Sequence, residues 1–175
     1  MRASIWLSLL GWSLAEWWRL QGPLSPSLPA SASLPSDERG ARAAWSFGVV
    51  MAVLHVLAAF HFHHGWSHAS AVAETARQTE EALGVAIGAG VYVNYLFIAV
   101  WLADAAWWWA SPFTFRARPA PLDRAIRLFL LFIFVNGAIV FPKGPIRFAG
   151  VVIVAGLGAA WYRGRRGAEA AKAER

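Results

Sequence analysis

Two long stretches almost free of charge, from about Ala43 to Phe62 and from about Leu83 to Trp107, constrain this chain more than any other feature of its sequence. At 1.5 Å per residue, roughly 20 helical residues cross a hydrocarbon core about 30 Å thick. Hydrocarbon offers no hydrogen-bond partner to the backbone, so each crossing segment must satisfy its own N–H and C=O groups. A helix does this, and the alternating pattern of a barrel strand is absent. Two further apolar segments follow, near Ala125–Phe141 and near Ile146–Trp161, joined by Pro142-Lys143-Gly144-Pro145, which has the chemistry of a tight turn. The third segment carries Arg127, whose charge must reach the interface along its own aliphatic stem. The expected fold is an all-α, polytopic transmembrane helical bundle of about four spans, at residues 43–62, 83–107, 125–141 and 146–161, within a bundle domain covering 43–162.

Composition agrees. The chain is 58% hydrophobic and only 15% charged, where soluble domains carry about a quarter of their residues as charges. It holds 11 Trp, many at the ends of the apolar runs, where an indole can bury its ring and still hydrogen-bond at headgroup level. There is no Cys, which excludes disulfides and thiolate metal sites, and only 2 Met, which argues against a thioether copper(I) site. The net charge of +6 comes from Arg in loops and at the C-terminal end, which fits anionic lipid headgroups rather than nucleic acid.

Residues 1–20 are apolar but interrupted by Glu16, Trp17, Trp18 and Arg19. They read as a secretory signal ending near Ala30-Ser31-Ala32, as a Trp-rich helix lying in the interface, or as a short extra span. The interrupting residues favour the interfacial helix, with Trp6, Trp12, Trp17 and Trp18 among headgroups. A Pro/Ser-rich linker over 21–42 and a basic tail over 163–175 complete the organisation. Gly84 to Gly88 forms a GxxxG element and Gly156 to Ala160 a small-xxx-small one, both suited to close helix packing.

Loop charge orients the bundle. Arg39 and Arg42 precede the first span, Arg116, Arg118 and Arg124 lie between the second and third, and Arg163, Arg165, Arg166, Lys172 and Arg175 follow the fourth. The loop between the first and second spans offers Arg77 against Glu74, Glu80 and Glu81. The positive-inside rule then puts both termini in the cytoplasm of a bacterial inner membrane.

All five histidines fall between His55 and His68. If the first helix continued through Gly65, His61, His64 and His68 would share one face, and His64 with His68 would have the i, i+4 spacing that chelates a metal ion. Zinc, iron, nickel and copper(II) accept imidazole. His61 and His68 would stand about 10 Å apart along the axis, so one ion could take only two of the three and would need a further ligand from Glu74, Glu80 or Glu81. The competing reading is an outer-face histidine patch without metal, wetting its nitrogens at the interface or touching another subunit. Haem within one protomer lacks a second histidine on another span, and a di-iron enzyme draws histidines from several segments, which this single cluster does not supply. A deeper polar layer, His55, Asn94, Tyr95 and Asn136, would either glue the bundle by hydrogen bonds or line a path for protons or substrate. Asp104 lies among Trp101, Trp107, Trp108 and Trp109 and has Arg116 and Arg118 as candidate partners.

Three functions compete: an accessory or scaffold subunit of a bacterial membrane complex, a metal-dependent or redox membrane enzyme, and a small oligomeric transporter or channel. The expected partners are the lipid bilayer and other membrane subunits or further copies of the chain, not nucleic acid.

Overall fold

A computed structural model describes residues 2–21, 36–141, 144, 147–148, 150–156 and 158–159. Every element among them is helical: α1 (Arg2–Gln21), α2 (Ser36–Phe62), α3 (His68–Leu83), α4 (Gly90–Ala110), α5 (Pro112–Arg116) and α6 (Ala120–Val135), which runs into a π-helical turn (Asn136–Val140). Helical residues 147–148, 150–156 and 158–159 follow it.

Two helices, Glu38–Phe62 and Gly90–Ala110, are long and apolar enough to cross a membrane. Only 22% and 28% of their most apolar windows are buried within the chain, so most of that apolar surface faces outward. A core helix of a water-soluble protein is mostly covered by its own chain, so this exposure fits, weakly, a helix that meets lipid.

The tightest packing joins α1 to α2. Ser4 hydrogen-bonds His55, and Gly40 lies against Trp18, so the two helices are antiparallel. Gly11 and Gly48 set their separation: a Cβ on Gly11 would come within 2.8 Å of the Gly48 backbone, and one on Gly48 within 2.7 Å of the Trp101 ring. Absence of a side chain here lets backbones touch, as small residues do in membrane bundles. Trp12, expected among headgroups, is fully buried within the protein, with its ring 5.2 Å from that of Phe134. The start of α1 lies at the level of His55, towards the histidine end of α2. Helix α2 begins at Ser36, shortening the linker expected over 21–42; residues 22–35 and the basic tail lie outside the described residues.

The first helix does not continue through Gly65. It ends at Phe62, and Gly65 (φ 52°) and Trp66 (φ 60°) take left-handed backbone conformations that turn the chain into α3. The Trp66 N–H closes this corner by donating to Phe60 O at 3.0 Å. Ser67 caps α3 through its side chain, and Gly84 (φ 76°) ends it. The expected GxxxG element is thus no helix-packing motif: Gly84 is a C-cap and Gly88 lies in the connector, against Val72 and Ala76. The second span starts at Gly90 rather than near Leu83. Buried Thr79 pins the connector, accepting from the Ile87 N–H at 2.8 Å.

Helix α6 starts at Ala120, and the π-helical turn that closes it allows the next helical residues to come back alongside. There a Cβ on Gly150 would meet Ala138 O at 2.5 Å. Arg147 donates to Ile139 O at 2.9 Å across the same corner. Of the four turn residues, only Gly144 is described, with φ 85°. Among the described residues, none comes within 4 Å of a Cβ on Gly156, and the rest of the second small-residue element is only partly described.

Candidate functional site

Charge separates to the two ends of α2. Glu38 and His61 are separated by about 35 Å of helix axis, close to the thickness of a hydrocarbon core of about 30 Å.

At the Glu38 end, four carboxylates meet four guanidiniums inside the protein. Glu38 and Arg116 pair with both side chains 4% exposed, and Arg116 Nε donates to both carboxylate oxygens at 3.0 Å. Asp104 pairs with Arg118, one of its two candidate partners, and Arg118 also holds Asp123. Arg127 joins Glu16 at 3.1 Å to Asp123 at 3.0 Å. Arg19 sits 3.5 Å from Glu16 and 3.6 Å from Asp123. Its guanidinium also faces the rings of Trp108 (4.9 Å), Phe115 (5.4 Å) and Trp45 (5.5 Å). Trp108 and Phe115 stack at 4.5 Å and 8°, and Arg118 lies 4.0 Å over Phe115. Desolvation of so many charges is tolerable only because each finds an opposite charge and the aromatic walls exclude little else. At Asp123, burial raises the carboxyl, but the guanidiniums of Arg127, Arg19 and Arg118 outweigh it and hold the group below its ordinary value.

This cluster corrects two expectations. Arg116 and Arg118 do not reach towards headgroups; they turn inward to carboxylates. Arg127 does not snorkel to water alone but ends in an ion-pair chain that ties α1 to α6. The Trp residues at the end of α4 each spend their N–H: Trp107 on Thr114, Trp108 on Glu38 and Trp109 on Ser46.

At the opposite end, the turn at Gly65 disperses the histidines. His68 starts α3 and has both ring nitrogens engaged, Nδ1 with the Tyr95 hydroxyl at 3.0 Å and Nε2 with the Tyr92 hydroxyl at 3.1 Å. His64 faces Ser70 at 3.5 Å and packs edge-on to Phe60, while His61 packs edge-on to Phe62. The face that would have carried His61, His64 and His68 does not form, and among the described residues no three His, Asp or Glu side chains are grouped to hold a metal ion. Sequence spacing suggested chelation because it assumed an unbroken helix.

On α3, Arg77 bridges Glu74 and Glu81. The hydrogen bond from Arg77, and a second from Gln78, lower the Glu74 carboxyl to about 2, and the same contacts raise Arg77.

Between these ends lies a cavity of about 1110 Å³, bounded by α1, α2, α3, α4 and the α6 region. His55, Asn94, Tyr95 and Asn136, drawn from three separate helical segments, all line it, together with His63 and His64. Asn136 donates to Phe132 O at 2.7 Å, and His55 meets Ser4 at 3.1 Å. Of the residues singled out in the sequence, His55, Asn94, Tyr95 and Asn136 all line this space, as does His64, while His61 and His68 are not among its lining residues. Glu16, Glu38, Asp123 and Arg19 were missed as a cluster. The i, i+3 spacing of Glu16 with Arg19 and the i, i+4 spacing of Asp123 with Arg127 were the available signals. Comparison with family models, curated proteins and solved structures gives no match.

Proposed function

We propose that this chain is a multi-pass inner-membrane protein that serves as an accessory or scaffold subunit of a larger bacterial membrane complex. Four spans, near residues 43–62, 90–110, 125–141 and 146–161, would carry it across the bilayer, with α1 packed along the first and the ionic cluster on the cytoplasmic side. The observation that carries this reading is the bare outer surface of α4. Tyr92, Leu96, Leu102 and Trp109 are between 44% and 58% exposed, on a helix whose inner face already makes the core through Phe97, Trp101 and Trp108. A rigid, charge-locked inner end beneath a broad apolar outer face suits a helix that presents itself to other helices.

Affinity purification in mild detergent tests the reading. A stoichiometric membrane partner is expected, and Leu96→Arg, placed on the exposed face, should release it while helicity and melting stay unchanged. A folded monomer that brings no partner from its own membrane would overturn it. Orientation is tested separately, because the chain has no native Cys. Glu80→Cys should react with a membrane-impermeant maleimide from the outer side, and Arg124→Cys only after permeabilisation. The reverse pattern would invert the topology.

A second reading, a small oligomeric transporter or channel, draws support from the common cavity of His55, Asn94 and Asn136. Flux across proteoliposomes that is indifferent to His55→Ala would remove it.

A further inference from the structure

A groove of about 1110 Å³, open on one side, lies among α1, α2, α3, α4 and the α6 region. Small-ligand pockets run to about 1,000 Å³, so this cavity is large enough for a whole amphiphile. Leu9, Ala52, Phe97, Ile98 and Phe134, all part of or packed on the apolar core, line one part of it. His55, Asn94 and Asn136 add polar groups from α2, α4 and the π-helical turn, and His63, His64, Ser70 and Gln78 add more from the turn after α2 and from α3. Phe132 lines the cavity and is also 57% exposed, so the space opens sideways towards the surface that lipid covers.

We propose that this cavity binds one bilayer amphiphile, with its apolar chain along Phe97 and Phe134 and an uncharged or zwitterionic, hydrogen-bonding head among His64, Asn94 and Gln78. Charge selects the head. The ionic groups in the lining are Glu74 and Arg77, and they neutralise each other through contacts of 2.6 and 2.9 Å. Arg77 is further engaged by Glu81, so among the described lining residues no Arg or Lys is left without an acid partner, while imidazole, carboxamide and hydroxyl groups offer both donors and acceptors. Phosphatidylethanolamine and a prenyl quinone share the required chemistry: carbonyl acceptors on an apolar chain without net charge. The inference rests on the membrane reading and is independent of any partner subunit, so loss of the partner and loss of the amphiphile are separable results.

The test uses the full chain, purified in mild detergent and washed until its lipid content is constant, then weighed by native mass spectrometry. One retained amphiphile is expected, and organic extraction distinguishes phospholipid from quinone by mass and ultraviolet absorbance. Gly137 lines the cavity, and a Cβ there meets nothing within 4 Å, so Gly137→Phe should fill the space without touching the backbone. It should lower retention about tenfold or more, the scale of one lost hydrogen bond plus displaced contact. Ala59→Phe, on the α2 wall, repeats the blockade should Gly137→Phe not fold. After reconstitution in mixed vesicles, phosphatidylethanolamine should be retained over phosphatidylglycerol, and His64→Leu with Gln78→Leu should bring the two towards parity. Equal retention by wild type and both filled variants would overturn the proposal, as would preference for phosphatidylglycerol. A lipid-free dimer that Gly137→Phe dissociates would also overturn it, since a second copy would then occupy the space.

Discussion

Replacing Glu38 by Gln should destabilise the chain more than replacing Asp104 by Asn, although both carboxylates are buried and paired with arginine. Arg116 is 4% exposed and has Glu38 as the acid facing its guanidinium; removing that charge strands a buried cation. Breaking a buried pair from one side typically costs about 3–5 kcal/mol. Trp108 Nε1 also donates to Glu38 Oε1 at 3.2 Å, a contact that Gln keeps only if its amide oxygen takes that place. Arg118, by contrast, holds both Asp104 and Asp123, so Asp104→Asn leaves it one anion and should cost about half as much, roughly 2 kcal/mol. Replacing both partners, Glu38→Leu with Arg116→Met, removes the stranded charge and should restore most of the loss, because hydrophobic substitutes of similar volume are often neutral or better. The measurement is thermal or denaturant unfolding in detergent, followed by tryptophan fluorescence, since Trp45, Trp101 and Trp108 lie in this core. The reasoning is refuted if Glu38→Gln costs less than about 1 kcal/mol, the scale of a solvated surface pair, or if the double replacement is as damaging as the single one.

Other expectations follow from the same geometry. Gly48→Ala should cost about 1–3 kcal/mol, because its methyl would enter the Trp101 ring, and the loss should be recovered in part by Trp101→Phe; unchanged melting would show that the α1–α2 contact is looser than described. Asp123 titrates below its ordinary value of 3.8 when folded, so it contributes stability that is complete well above that pH and is lost as pH falls through the lower folded value. Wild type should therefore lose melting temperature on acidification below about pH 4, and Asp123→Asn should show a smaller loss over that window. Thr79→Val removes the acceptor of the Ile87 N–H and should cost about 1–3 kcal/mol, with hydrogen exchange accelerated at Ile87. Glu74→Gln, on an exposed helix face, should change overall stability by less than about 1 kcal/mol.

The apolar stretches were legible because their signal is additive over twenty residues: no single polar neighbour can reverse it, and α2 and α4 overlap them, though α4 starts at Gly90 rather than near Leu83. Breaks in those helices were less legible. The end of α2 depends on two consecutive left-handed residues, one of them Trp66, a residue type that gives no warning of such a conformation. That one corner undid the shared histidine face and with it the chelation geometry. An Asn or His in an apolar run stands out individually in a sequence, and His55, Asn94, Tyr95 and Asn136 all line one groove.

The ionic cluster shows the opposite limit. Each of its arginines looks, in isolation, like a basic loop residue of the kind that fixes orientation, and Arg116 and Arg118 were counted that way. Once they are seen neutralised by Glu38, Asp104 and Asp123, the charge bias between the two ends must come from residues that remain solvated, such as Arg39 and Arg124, and from the basic residues after Trp161. On the proposed membrane reading, orientation would draw on Arg39 and Arg124, and folding on Arg116 and Arg118. Mutating Arg124 should shift the balance of insertion with little effect on folding, whereas mutating Arg116 should cost stability with little effect on orientation, and a screen that found the two phenotypes always together would contradict the division.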